Sequence, residues 1–143
     1  MSKATFKDLT HPNLHKLKHF CKQLLEKYNI ETIILFGSTA KGTNNYRSDF
    51  DLIIVTDDMG EDWFIRHRKV FALSIGLIQP FVLTREEFSH AVENRQTIVW
   101  EALVDGIILH DNGLGREQIQ RFQKLLQKGE IERLNKGWRI LSK

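Results

Sequence analysis

Leu35-Phe36-Gly37-Ser38-Thr39-Ala40-Lys41-Gly42-Thr43-Asn44-Asn45-Tyr46-Arg47-Ser48-Asp49-Phe50-Asp51-Leu52-Ile53-Ile54-Val55 is the stretch whose reading decides the fold. It holds a Gly-Ser pair, ten intervening residues, then Asp-x-Asp running into an apolar run. A Gly-Ser turn opening a helix can hold a phosphate, because its backbone N–H groups point at the anion. Two carboxylates at i and i+2 on a strand point to the same face. Such a pair can hold Mg²⁺, which takes one or two carboxylates together with substrate phosphates. The segment therefore offers both halves of a nucleoside triphosphate site.

Its flanks support that reading. Ile33-Ile34-Leu35-Phe36 before the glycine reads as a buried strand, and Leu52-Ile53-Ile54-Val55 after the second acid reads as another. Two acids entering a buried strand are costly unless a cation or hydrogen bonds compensate them. A P-loop is excluded, since Thr43 stands where that motif needs its phosphate-binding lysine.

The pattern Gly37-Ser38-x10-Asp49-x-Asp51 resembles the DNA polymerase beta-like nucleotidyltransferase superfamily, and the small size resembles its minimal nucleotidyltransferase (MNT) family. The resemblance is sharpest over about residues 33–56. It implies an α/β fold with a small mixed sheet flanked by helices. It implies that Asp49 and Asp51 are catalytic and ligate Mg²⁺, and that Gly37, Ser38, Lys41 and Ser48 bind ATP, Ser48 chiefly by bonding the loop. Arg47 is a further cation in reach of that loop. It also implies AMP transfer to a protein acceptor, with this chain as the antitoxin of a HEPN-type toxin silenced by adding AMP to a tyrosine. Active members usually carry a third carboxylate on the next strand; here Gln79 takes that position, and a neutral amide is no useful base. Rescue by Glu86 or Glu87, just beyond that strand, is the alternative. The rival reading is a weak or silent nucleotidyltransferase-fold module that neutralises its partner by occlusion.

At 143 residues the chain has room for one domain with a core of its own. Hydrophobic residues at 41% and charged residues at 27% fit a globular protein, and no apolar run approaches a membrane span. The N-terminus shows no apolar signal segment, and Cys21 is the only cysteine; both point to the cytoplasm. The net charge of +3 suits ATP or an acidic partner and speaks against nucleic acid. The oligomeric state stays open.

Along the chain, residues 11–28 read as an amphipathic helix with Leu14, Leu17, Cys21, Leu24, Leu25 and Tyr28 inward and Pro12 in its first turn. His11, His15 and His19 then lie on the solvated face. Residues 62–75 read as a helix, and residues 77–84 as a strand that Pro80 confines to an edge or a bulge. Thr84-Arg85-Glu86-Glu87 is a capping box opening a helix over 85–94. A helix over 96–105 ends at Gly106, followed by a short strand at 107–109. Residues 115–128 and 130–140 read as helical. The expected organisation is a nucleotidyltransferase domain over 1–112 and a C-terminal helical extension over 113–143, packed on the same domain. Trp63 and Trp100 are assigned to the core; Trp138, among basic residues, is a candidate partner anchor.

Overall fold

The computed structural model describes residues 11–37, 40, 49–74 and 76–141. The two apolar runs flanking the acidic pair are the central strands, β1 (Thr32–Phe36) and β2 (Phe50–Val55). They are hydrophobic almost without alternation because both of their faces are covered. With β3 (Ile78–Leu83) and β4 (Ile107–Asp111) they form a four-stranded mixed sheet in the order β3-β2-β1-β4. β1 runs antiparallel to β2 and to β4, and β2 runs parallel to β3. Pro80 thus sits on an edge strand, where a missing N–H leaves the ladder intact.

One face of the sheet is covered by α1 (Leu14–Lys27) and by α2 (Trp63–Phe71), the latter at the β3 edge. Leu17, Phe20, Cys21, Leu24 and Val70 pack there on Ile33, Leu35, Leu52, Ile54 and Val82. The other face carries α3 (Arg85–Ser89), α4 (Thr97–Asp105) and α5 (Leu114–Gln127). Phe88, Val99, Trp100, Leu103, Ile119 and Phe122 pack there on Ile34, Ile53, Val55 and Leu83. Among the described residues, no helix is long and apolar enough to cross a membrane.

The first helix begins at Leu14, so Pro12 lies in the turn before it rather than in its first turn. His11 is not on a solvated face: it is buried, with its ring 4.5 Å from that of Phe50, and its Nδ1 accepts the Asn13 N–H. His15 and His19 are exposed as expected. Leu25 is exposed and Phe20 is buried, which rotates the inward face slightly. Burial raises the Cys21 thiol to about 12, leaving it a small hydrophobe. The Thr84 capping box forms as expected, but α3 stops at Ser89 and residues 90–95 are turns. α4 ends as expected before Gly106, whose backbone is extended, and the position has room only for glycine: a Cβ there would lie 2.2 Å from the Ala102 carbonyl oxygen and 2.5 Å from Ile34 Cγ2.

The helix expected over 130–140 is instead a hairpin, β5 (Ile131–Leu134) with β6 (Gly137–Ile140). Leu134 faces Gly137 across a two-residue turn, and Gly137 takes φ +107°, a conformation open to glycine. The extension after residue 113 is therefore a helix followed by a hairpin. Ile131 and Trp138 join the second core, where Trp138 sits edge-on to Trp100 and to Phe122, each at 5.5 Å. Trp138 is thereby largely a packing residue, with its indole donating to Glu101.

Candidate active site

β1 ends at Phe36 and the chain turns at Gly37, whose φ is +81°. Antiparallel pairing sets Phe36 opposite Asp51, and parallel pairing sets Asp51 opposite Gln79. Phe36, Asp51 and Gln79 therefore form a row across three strands at one end of the sheet. Side chains alternate along each strand, so Asp51 and Gln79 share the face that carries Ile53, Phe81 and Leu83.

The Gly37 turn is pressed against the second acid. A Cβ built on Gly37 would stand 2.3 Å from Asp51 Oδ2 and 3.3 Å from its Cγ. A side chain here would push the Asp51 carboxylate aside. Gln79 Nε2 donates to Asp49 Oδ2 at 3.3 Å, so the amide, the two carboxylates and the glycine turn converge. Burial, and then the neighbouring charge of Asp49, hold the Asp51 carboxyl above its ordinary range. Just before β3, Leu77 takes φ +64° while its carbonyl accepts the Phe50 N–H at 2.6 Å. That bond ties the start of β3 to the start of β2 and aligns Gln79 with the acids.

The donor set fits a hard divalent cation. Asp49 and Asp51 offer carboxylate oxygens in mutual repulsion, which a cation would relieve. Among the described residues, no group of three His, Cys, Asp or Glu side chains could hold a metal. A magnesium ion here would complete its shell with water or substrate oxygens.

Ser38, Lys41, Arg47 and Ser48 lie outside the described residues. Ala40, just after the Gly-Ser pair, is described; it is helical and packs against the first core. The two rescue candidates are elsewhere. Thr84 lies five residues along β3 from Gln79, about 16 Å away. Glu87, just beyond it, accepts from the buried Arg66 at 2.8 Å and from the Thr84 N–H at 2.9 Å, so it is already employed. Glu86 is exposed near that same far end.

Sequence reasoning missed a second arrangement, at the edge of β3. Phe50 N–H bonds Leu77 O and Thr56 N–H bonds Leu83 O, so odd-numbered residues of β3 face β2 and residues 78, 80 and 82 face outward. Val82 N–H donates to His67 Nε2 at 3.0 Å, and Val82 O accepts from Arg66 Nε at 3.2 Å. His67 Nδ1 lies 2.8 Å from the Trp63 carbonyl, so that nitrogen carries the proton. Two side chains of α2 thus close the sheet edge that Pro80 leaves short of a donor. The only signal in the sequence is an Arg-His pair among aromatics, which does not announce burial. Trp63, assigned to the core, is instead 48% exposed, stacked on His67 with ring centroids 3.7 Å apart.

Residues 19–113 match the family model described as Polymerase beta, Nucleotidyltransferase. No curated protein sequence matches significantly. Among solved structures, a chain of a toxin–antitoxin complex with AMP-PNP is similar at 17% identity and a TM-score of 0.46, over 81% of this chain and 88% of that one. A chain of the tri-AMPylated Shewanella oneidensis HEPN toxin in complex with MNT antitoxin gives 17% identity and a TM-score of 0.46, over 82% and 88%. A Sulfolobus solfataricus protein with a proposed nucleotidyltransferase assignment gives 20% and 0.45, over 68% and 76%.

Proposed function

Because the chain belongs to the polymerase beta nucleotidyltransferase family, we propose that it transfers AMP from ATP to a hydroxyl of a protein acceptor, as the antitoxin of a HEPN-type toxin. The observation that carries the site assignment is the approach of the Gly37 turn to Asp51, beside Asp49. A backbone turn that can wrap a phosphate and a carboxylate pair that can hold its metal are needed within one triphosphate's length, and here they touch.

In this reading the acceptor oxygen attacks the α-phosphorus of ATP. The new O–P bond forms as the bond to the β-phosphate oxygen breaks, pyrophosphate leaves, and the hydroxyl proton passes to solvent. Asp49 and Asp51 would hold Mg²⁺, which when bound supplies neutralisation of the charge on the triphosphate and on the leaving oxygen. Gly37, Ser38 and Lys41 contact the phosphates and Ser48 supports the loop. Catalysis rests on positioning and electrostatics, with no strong base at residue 79.

One observation favours the second reading, a weak or silent binding module. The Gln79 amide donates to Asp49, satisfying the carboxylate without adding negative charge. The test is incorporation of labelled AMP from ATP into a HEPN partner, with Mg²⁺, by wild type, Asp49→Ala and Gln79→Asp. Transfer by wild type that Asp49→Ala abolishes supports the enzyme. A gain of about tenfold in Gln79→Asp marks a site slowed by its missing base, since general-base assistance is worth about 10²–10⁴-fold. Toxin neutralisation that survives Asp49→Ala, without transfer, supports the binding module.

A further inference from the structure

The row holding Asp51 and Gln79 continues along the same face into an apolar groove. Phe81, two residues and about 7 Å beyond Gln79, and Leu83 form its floor. Trp63 from the start of α2 forms one wall, and Arg95, Gln96 and Ile98 at the start of α4 form the other, enclosing a cleft of about 450 Å³. A second cleft of about 510 Å³ shares Arg95 and Thr97 and runs on to Trp138 and Ile140 of the hairpin. Large apolar side chains stand open to solvent along this course: Trp63 at 48%, Phe64 at 72% and Ile98 at 40%. Phe64 lies edge-on to Trp63, extending the aromatic surface outward. Neighbouring large apolar side chains left open to solvent are the kind of surface that interaction sites use.

The charge at the groove has one sign to offer. Six of the described arginines form ion pairs; Arg68 and Arg95 form none among the described residues. Arg95 lies where the two clefts meet, and Arg68 follows Phe64 by one helical turn on α2. The carboxylate at the rim, Glu87, is taken by Arg66 and the Thr84 N–H. Arg95 also holds φ +56°, a conformation that a residue with a side chain seldom keeps without a reason.

We propose that this groove docks an amphipathic helix of the acceptor protein, one that presents large apolar side chains flanked by carboxylates. The proposal rests on the protein-acceptor reading above and names the surface that presents the acceptor to the site. A strand is disfavoured as the occupant, because His67 and Arg66 close the β3 edge at Val82 and Pro80 has no N–H to lend. A second copy of this chain is disfavoured, because a two-fold contact would bring the same cations in from both sides. Apolar anchors beside arginines suit a helix laid in a groove.

The test uses the full chain and a synthetic 14-residue helical peptide with Leu and Phe at i, i+4 and i+7 and Glu between them. A matched peptide carries Lys in place of Glu. The chain has three tryptophans, so three indole N–H resonances report on it. The Trp100 indole is held by the Ala91 carbonyl and should stay still, while that of Trp63 should shift with the Glu peptide. Arg95→Gly removes the cation and suits the positive φ, so it should melt no lower than wild type yet bind the Glu peptide at least tenfold more weakly. Ile98→Asp should weaken it similarly, and the Lys peptide should bind at least tenfold less well to wild type. Equal binding of both peptides, an unmoved Trp63 signal, or undiminished binding by Arg95→Gly would overturn the proposal. So would a stronger Trp63 response to vesicles of anionic lipid, or a dimer that Ile98→Asp dissociates. Mg-ATP affinity, measured alongside, separates the two readings. Peptide binding lost with ATP binding intact, or absent from wild type, concerns the groove alone. ATP binding absent while the peptide binds concerns the site alone.

Discussion

Gly37→Ala is the sharpest perturbation the site allows, and Gly60→Ala is its control. Both glycines lie in the left-handed region, at φ +81° and +85°. A side chain in that region costs about 1–2 kcal/mol. For a chain of this size each kcal/mol is worth roughly 3 °C in Tm, so both variants should melt about 3–6 °C lower. Space separates them. Nothing lies within 4 Å of a Cβ at Gly60, whereas at Gly37 the Cβ falls 2.3 Å from Asp51 Oδ2. Ordinary contact begins near 3.4 Å, so the oxygen must retreat by the difference, 1.1 Å. Magnesium holds its ligands at about 2.0–2.1 Å in near-ideal octahedral geometry, so a carboxylate displaced that far is no longer a ligand. Disturbing even the shell behind a ligand costs about 10–100-fold in metal affinity. Gly37→Ala should therefore lose at least that much affinity for the Mg²⁺ complex of a non-hydrolysable ATP analogue, or about 1.4–2.7 kcal/mol. Gly60→Ala should bind as wild type does. Calorimetric titration well below both melting temperatures measures the difference. Affinities for the two variants that agree within about twofold would refute the reasoning, because the collision with Asp51 would then have no bearing on the ligand.

The edge of β3 supplies two further predictions. Burial is the main cause that lowers the His67 pKa, with the charge of Arg66 acting in the same sense, while the Trp63 carbonyl and Glu87 oppose it. A folded-state pKa below the unfolded value of about 6.5 means that the unfolded chain takes up the proton first. The contribution is thus complete above about pH 6.5 and is lost as pH falls from there toward the folded pKa. Urea midpoints between pH 5 and 7.5 should decline on the acid side, and His67→Gln, which keeps an acceptor for Val82 N–H, should flatten that decline. Arg66 is fully buried and donates to the carbonyls of Gly60, Glu61 and Val82 as well as to Glu87. Arg66→Met should cost about 3 kcal/mol by chemical denaturation, the lower end for a broken buried pair, because Glu87 keeps access to water.

How legible the site was depends on how far apart its parts lie in the chain. Gly37, Asp49 and Asp51 fall within fifteen residues, and two unbroken apolar runs frame them, so the local pattern sufficed to mark them as candidates. Gln79 was reachable only through the family resemblance, which expects a carboxylate on the next strand, and the register sets it opposite Asp51. Arg66 and His67 gave no such signal. Their burial comes from a helix lying against a sheet edge, where each polar atom finds a backbone group from another element. The hairpin over 131–140 was hidden in a different way. Its strands are four residues each and mostly exposed, so hydrophobic alternation is faint and the turn before Gly137 was the one clue.

By itself the sequence determined the mixed α/β class, the two central strands, the restriction of β3 to an edge or a bulge and the grouping of a glycine turn with two acids. These follow from short-range facts: period-two alternation, continuous apolar runs where both faces are buried, and proline's missing donor. The tertiary structure alone decided that Gly37 and Asp51 touch, that Glu87 belongs to Arg66 rather than to the acids, and that Trp63 and Ile98 stand open beside Arg95. Each of those depends on which element packs against which, a matter of register and layer order that no local window contains. A side chain's role in this protein is set by what the fold brings to it across the sheet.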